Sequence, residues 1–130
     1  MKKIFLICVT LMFSSSVMAI TCEEANGFIM KGNNGVEYCV SNNYMNWWTA
    51  IGWCQIIGKT MIQYPKDCSC AGEGCPKGVP CPNFAGTDKT LRIWTSTAIK
   101  ETEAIDIETS SAGVIRQWPR TARSHNAVCY

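Results

Sequence analysis

Apolar residues between positions 47 and 58 recur at intervals of three and four. Residues at this spacing share one face of an α-helix, so the pattern predicts an amphipathic helix. Asn46 precedes the first apolar position and is suited to cap the helix, while Gly58 follows the last and is suited to end it. The predicted apolar stripe consists of Trp47, Ala50, Ile51, Cys54 and Ile57.

Two further tryptophans, Trp48 and Trp53, lie on the same helix but off this stripe. If the helix is covered on two sides, both indoles belong to the core, which is the arrangement we predict. An exposed tryptophan here would instead mark a partner surface.

Alternating apolar and polar residues predict strands on both sides of the helix. Residues 28–30 and 36–40 flank Asn33-Asn34-Gly35, whose residues tolerate positive φ, and are predicted to form a hairpin. Residues 59–64 look extended, and residues 65–88 form a loop rich in Cys, Gly and Pro without apolar period. The order predicts one α+β domain with a main helix against an antiparallel sheet. The later strands are predicted at 91–97, 104–108, 114–118 and 126–130.

The first 19 residues have the composition of a signal peptide. Lys2 and Lys3 form a basic start, residues 4–13 an apolar centre, and residues 17–19 a cleavage site. A retained membrane-anchoring N-terminus is the alternative. Cleavage would leave residues 20–130 as a single exported domain of bacterial type, found in the periplasm, at the cell surface or secreted.

Charge narrows the function classes. The chain has a formal charge of +2, which comes from Lys2 and Lys3, so the predicted mature domain is near neutral. A neutral domain has no basic field for nucleic acid. No segment after the leader is long and apolar enough to cross a membrane.

Nine cysteines are present, and Cys8 lies in the leader. An even number in a small exported domain indicates disulfides, with on the order of 100 complete pairings possible. The hairpin could bring Cys22 near Cys39, and local pairs are the economical choice within the loop. A zinc site in that loop is the alternative, although its spacing lacks paired C-x2-C units. The predicted disulfide cysteines are Cys22, Cys39, Cys54, Cys68, Cys70, Cys75, Cys81 and Cys129.

Candidate chemistry is sparse. His125 is the only histidine, and no Gly-x-Ser-x-Gly motif is present, so we predict a surface or loop histidine and no enzyme activity. Asp106 and Glu108 alternate with isoleucines and are predicted to form a solvated outer strand face. No cofactor and no metal site are predicted.

A basic and aromatic cluster follows in residues 116–123. Guanidinium groups bind carboxylates and phosphates, and tryptophan adds a stacking face, so the cluster is a candidate ligand-binding site. The alternative is a charged edge balanced by Asp106 and Glu108 across the hairpin. The candidate ligand-binding residues are Arg116, Trp118, Arg120 and Arg123.

The helix motif Trp47-x2-Ala50-x3-Cys54-x3-Gly58-x2-Met61 resembles the first-helix signature of the C-type lectin-like fold. Residues 91–97, which end Trp94-Thr95-Ser96-Thr97, are similar to a strand of its compact bacterial members. The resemblance covers about residues 36–130. It implies that Cys54 pairs with Cys129 in the last strand and that Cys22 pairs with Cys39.

The chain departs from the members of that family that bind sugar through calcium. It lacks their Glu-Pro-Asn or Gln-Pro-Asp tripeptide and their Trp-Asn-Asp, and carries Trp118-Pro119-Arg120 instead. Calcium requires six to eight oxygen ligands, which no acidic cluster supplies here. We therefore expect a calcium-independent, non-enzymatic binding module, adhesin-like or for surface recognition, whose ligand is a protein or a glycan. The alternative is a structural subunit of an extracellular fibre, such as a minor pilus-like component.

Overall fold

The computed structural model describes residues 20–87, 89–110 and 112–130, and the predicted leader, 1–19, lies outside them. The α+β class is confirmed, with one α-helix and two small antiparallel sheets in the described part. No helix formed by the described residues is long and apolar enough to span a bilayer. The elements are β1 (Gly27–Lys31), β2 (Glu37–Ser41), α1 (Trp47–Ile56), β3 (Arg92–Ala98), β4 (Glu103–Glu108), β5 (Val114–Pro119) and β6 (Val128–Cys129).

The strands form two three-stranded sheets rather than the single sheet predicted. Their orders are β1-β2-β6 and β3-β4-β5. The connection from β5 to β6 meets β3 at Asn126, whose backbone N–H donates to Arg92 and whose C=O accepts from Trp94. It then continues to β2, where Cys129 lies opposite Cys39 in the antiparallel strand register. Residues 126–129 therefore join the two sheets.

Helix α1 begins as the sequence predicts. The Asn46 side chain accepts a hydrogen bond from the Thr49 backbone N–H at 2.9 Å, and Gly58 takes a φ of 69° just after the helix ends. The predicted coverage on two sides is only half right. Trp53 is partly buried and its indole N–H donates to the Ala25 carbonyl, whereas Trp48 is 50% exposed.

Two hydrophobic clusters form the core, and single strands contribute to both. Because successive strand residues point to opposite faces, Ile93 joins one cluster while Trp94 joins the other. Val128 and Cys129 divide in the same way. Sheet β3-β4-β5 is consequently covered at its centre on both faces.

Four disulfides staple these elements. Cys22–Cys39 links the entry segment to β2, and Cys54–Cys129 links α1 to β6, as the resemblance implied. Within the loop, Cys68 pairs with Cys81 and Cys70 with Cys75, which confirms the local pairing. Disulfides rather than the zinc alternative therefore account for these sulfur positions.

The segment predicted as extended after the helix runs beside β6. The backbones of Thr60 and Tyr130 exchange two hydrogen bonds of 3.0 Å, and Ile62 N–H donates to Val128. The Tyr130 hydroxyl accepts a hydrogen bond from the Lys66 ammonium at 3.3 Å. That bond favours the charged form and raises the pKa of Lys66.

Candidate functional site

A buried histidine and a buried aspartate lie at the centre of the molecule's main polar network. His125 and Asp106 are both without solvent exposure, and 2.8 Å separates His125 Nε2 from Asp106 Oδ2. The same carboxylate oxygen accepts from Arg116 at 2.9 Å. The Arg116 guanidinium also lies 3.0 Å from Glu108 Oε2. The network therefore runs from the core outward along one face of β4 and β5.

Both sequence predictions for these residues are corrected by this arrangement. Asp106 was predicted on a solvated face, yet it is buried, and His125, predicted on the surface or in a loop, lies in the connection between β5 and β6 but is buried. The reason is that the face of β4 opposite Ile105 and Ile107 is covered as well. Trp94 and Arg116 flank Asp106 in the strand register, and the Trp94 indole stacks on the imidazole with ring centroids 4.1 Å apart.

The hydroxyl of Ser124 completes a serine–histidine–aspartate alignment. Its Oγ lies 3.0 Å from His125 Nδ1, while Asp106 Oδ2 is hydrogen-bonded to the other ring nitrogen, Nε2. A nucleophilic serine needs a base beside an open substrate site. Here the imidazole is fully buried between the rings of Trp94 and Trp118. The contacts of His125 are those of a residue that orders the core and joins β4 to the final segment.

The four candidate ligand-binding residues separate into two groups. Arg116 and Trp118 lie together on β5, with the guanidinium 5.6 Å from the indole centroid. The charge of Arg116 is balanced by Asp106 and Glu108, which is the charged-edge alternative stated above. This half of the cluster is partly buried and stabilises the β4–β5 hairpin.

The second group meets the start of the helix. Arg120 lies over the Trp47 ring at 4.5 Å, and its guanidinium donates to the backbone carbonyls of Lys100 and Glu103. The Trp47 indole N–H donates to the Thr95 carbonyl at 2.9 Å. Both side chains are thereby fixed in orientation. Arg123, three residues further along, is exposed.

Exposed aromatic rings extend this second group. Trp48 packs edge-on against Trp47, with centroids 5.8 Å apart, and is half exposed; Tyr44 is 65% exposed. Backbone hydrogen bonds from Trp47 to Arg120 and from Met45 to His125 hold the two segments side by side. We call the surface formed by Trp47, Trp48 and Arg120 the aromatic–arginine face. The exposed residues Tyr44 and Arg123 belong to the two chain segments that these backbone bonds join.

Sequence reasoning found Arg120 and Arg123 but did not join them to the helix start. The signal available was the pair Trp47-Trp48, of which only one member fits the apolar stripe. A large apolar residue that the helix period leaves outside is a candidate for exposure. The pairing of residues 45–47 with 120–125 is a long-range contact, which no local pattern indicates.

Comparison with known proteins gives no assignment. No protein-family model matches the chain, and no curated protein matches it significantly in sequence.

Proposed function

We propose that this protein is an exported, disulfide-stabilised binding module that recognises a protein or glycan ligand without calcium and without catalysis. The proposal includes a C-type lectin-like scaffold. That scaffold is supported by α1, which carries the motif ending at Met61, and by the Cys54–Cys129 and Cys22–Cys39 disulfides. Four disulfides favour an oxidising compartment.

The observation that carries the proposal is the half-exposed Trp48 beside an ordered Trp47–Arg120 pair. Tryptophan, tyrosine and arginine are the residues most enriched at binding hot spots. Their side chains supply a large contact area and hydrogen-bond donors. Because Trp47 and Arg120 are held by backbone carbonyls, a ligand would meet a largely preformed surface, which lowers the entropy lost on binding.

Binding of the labelled protein to printed glycans and purified extracellular proteins, with and without a calcium chelator, tests this function. We expect a signal that persists in chelator and falls by at least about tenfold in Trp48→Ala. Ile56→Ala is the matched control, since Ile56 is 66% exposed on the same helix but outside the face. A chelator-sensitive signal would contradict calcium independence, and equal losses in both variants would contradict the assigned face.

A structural subunit of an extracellular assembly is the second candidate, and the exposure of Trp48 also favours it. In that case Trp48 would be covered by another copy of the chain. Sedimentation velocity over a range of concentrations separates the two functions. Self-association that Trp48→Ala abolishes would support the subunit, whereas a monomer at all concentrations would support the binding module.

A further inference from the structure

A groove of about 460 Å³ runs beside β1, on the opposite side of that strand from β2. One wall is β1 itself and the other is the segment that leads into β3. The floor and rim combine apolar and basic side chains. The described lining residues are Phe28, Ile29, Met30, Lys31, Asn33, Gly86, Thr87, Lys89 and Leu91.

The backbone of β1 turns hydrogen-bonding groups toward this groove. Gly32 N–H donates to the Val36 carbonyl and Asn42 N–H donates to the Asn26 carbonyl. The even-numbered residues of β1 therefore form the backbone hydrogen bonds to β2. Hydrogen-bonded and non-bonded pairs alternate in an antiparallel ladder. The N–H and C=O groups of Ile29 and Lys31 therefore point away from β2. Among the described strands, none pairs with this side of β1.

The facing wall is held in place by a buried threonine. The Thr109 hydroxyl donates to the Lys89 carbonyl at 2.9 Å and accepts from the Leu91 N–H at 2.8 Å. The Thr87 hydroxyl donates to the same carbonyl. At the end of the groove, the Asn33 amide donates to the carbonyls of residues 82 and 85. These bonds preform the groove, so a ligand need not order it.

The charge of the groove selects among extended ligands. Lys31 and Lys89 supply two ammonium groups, and the Lys89 ammonium lies 4.8 Å from the Phe28 ring centroid, so it reaches across to β1. A carboxylate-bearing partner would be attracted, while apolar side chains of the partner would contact Phe28, Met30 and Leu91.

We propose that this groove binds an acidic peptide segment in extended conformation, which adds to β1 as a further strand. Strand addition obtains affinity from main-chain hydrogen bonds and specificity from alternate side chains. The outward N–H and C=O groups of Ile29 and Lys31 are free for the main-chain hydrogen bonds. The two lysines and the apolar floor would determine which side chains of the peptide are accepted. The groove shares no residue with the aromatic–arginine face, so the two proposals fail independently.

Charge also argues against the other natural occupant, a second copy of this chain. Pairing of two β1 strands would add the second copy's Lys31 and Lys89 to an edge that already carries two lysines. Lysines at a free sheet edge disfavour such self-pairing. If the lysines serve only to prevent pairing of β1 with other chains, acidic peptides should not bind to the groove.

The test uses the purified, oxidised protein and a short fluorescein-labelled peptide that alternates valine with glutamate, measured by fluorescence anisotropy. Control peptides carry glutamine or lysine in place of glutamate. We expect the glutamate peptide to bind and the lysine peptide not to bind. The double variant Lys31→Glu/Lys89→Glu should bind the glutamate peptide with about tenfold lower affinity, and it should bind the lysine peptide.

A backbone variant separates strand addition from simple charge attraction. Ile29→Pro removes the outward N–H but leaves the hydrogen bonds to β2, and Ile29→Ala is the matched control that keeps the N–H. We expect a loss of peptide binding in Ile29→Pro only, and slower amide exchange at Ile29 and Lys31 in the wild-type complex. Failure of the glutamate peptide to bind, equal affinity for all three peptides, or full affinity in a folded Ile29→Pro would each overturn the proposal.

Discussion

At the scale of single residues, Asp106 connects three parts of the fold. This carboxylate has no solvent exposure and meets two donors, the Arg116 guanidinium and the His125 ring. Buried charge is costly unless it is paired and hydrogen-bonded. One side chain therefore ties β4 both to its hairpin partner β5 and to the segment that leads into β6.

Replacement of this carboxylate by its isosteric amide tests that role. We expect Asp106→Asn to lower the free energy of unfolding by about 3 kcal/mol, because the change leaves the partly buried Arg116 without its closest counter-charge. Urea denaturation followed by tryptophan fluorescence measures the change. Glu101→Gln is the matched control, since Glu101 is exposed and should change stability by less than about 0.5 kcal/mol. Equal effects would refute the buried role of Asp106.

The same residue shows where sequence reasoning stops. Alternation of Ile105, Asp106 and Ile107 predicts a strand, and the strand is there. The pattern also suggests that the aspartate faces water, which is wrong. Alternation reports that the two faces differ, but it does not report whether the second face is covered. Cover comes from Trp94 and His125, which only the tertiary fold brings to Asp106.

At the scale of elements, local signals were sufficient for α1 and for the strands of both hairpins. The Asn46 cap, the positive φ at Gly58 and the turn at Gly35 each act within a few residues of their element. The final strand is different, because β6 has two residues and its partner is chosen by distant groups. Its place in the β1-β2-β6 sheet therefore could not be read from alternation. The aromatic–arginine face could not be assembled from local pattern for the same reason.

Two disulfides allow a comparison at this scale. Cys54–Cys129 spans 75 residues and Cys70–Cys75 spans 5. In the chain-entropy account a longer closed loop restricts the unfolded state more. We expect Cys54→Ala/Cys129→Ala to cost about 4.5 kcal/mol and Cys70→Ala/Cys75→Ala about 2 kcal/mol.

Thermal unfolding monitored by circular dichroism measures both variants against the wild type. Each variant retains three disulfides, so the two are matched in number of cross-links. The midpoint should fall more in the α1–β6 variant. A larger fall in the Cys70→Ala/Cys75→Ala variant would show that the loop, rather than the link between α1 and β6, limits the stability of the domain.

At the scale of the whole molecule, the two proposed binding surfaces are the aromatic–arginine face and the β1 groove. Both belong to one folded unit, because single strands contribute to both hydrophobic clusters. Residues 20–130 are near neutral overall, and the described lining of the β1 groove includes Lys31 and Lys89. Because Val128 and Cys129 belong to different clusters, the two clusters should unfold together.

For the exported protein that we propose, the pairing of the cysteines also bears on the order in which the disulfides can form. A chain that emerges from its N-terminus presents Cys22 and Cys39 first, and these two are native partners. Cys54 emerges next, but its partner is still 75 residues away. The Cys68–Cys81 and Cys70–Cys75 bonds are nested inside that interval. An oxidant that joins cysteines as they appear would therefore trap Cys54 with Cys68.

Native pairing then requires exchange among disulfides, which proceeds by thiolate attack. We expect the reduced protein to recover its native pairs in higher yield in a glutathione redox buffer with a disulfide isomerase than with a strong oxidant alone. Peptide mapping of the products, with Cys54–Cys68 as the diagnostic error, measures the difference. Equal native yields would show that folding of the chain precedes oxidation. A lower native yield with the oxidant alone would show that formation of the Cys54–Cys129 bond depends on exchange of wrongly paired disulfides.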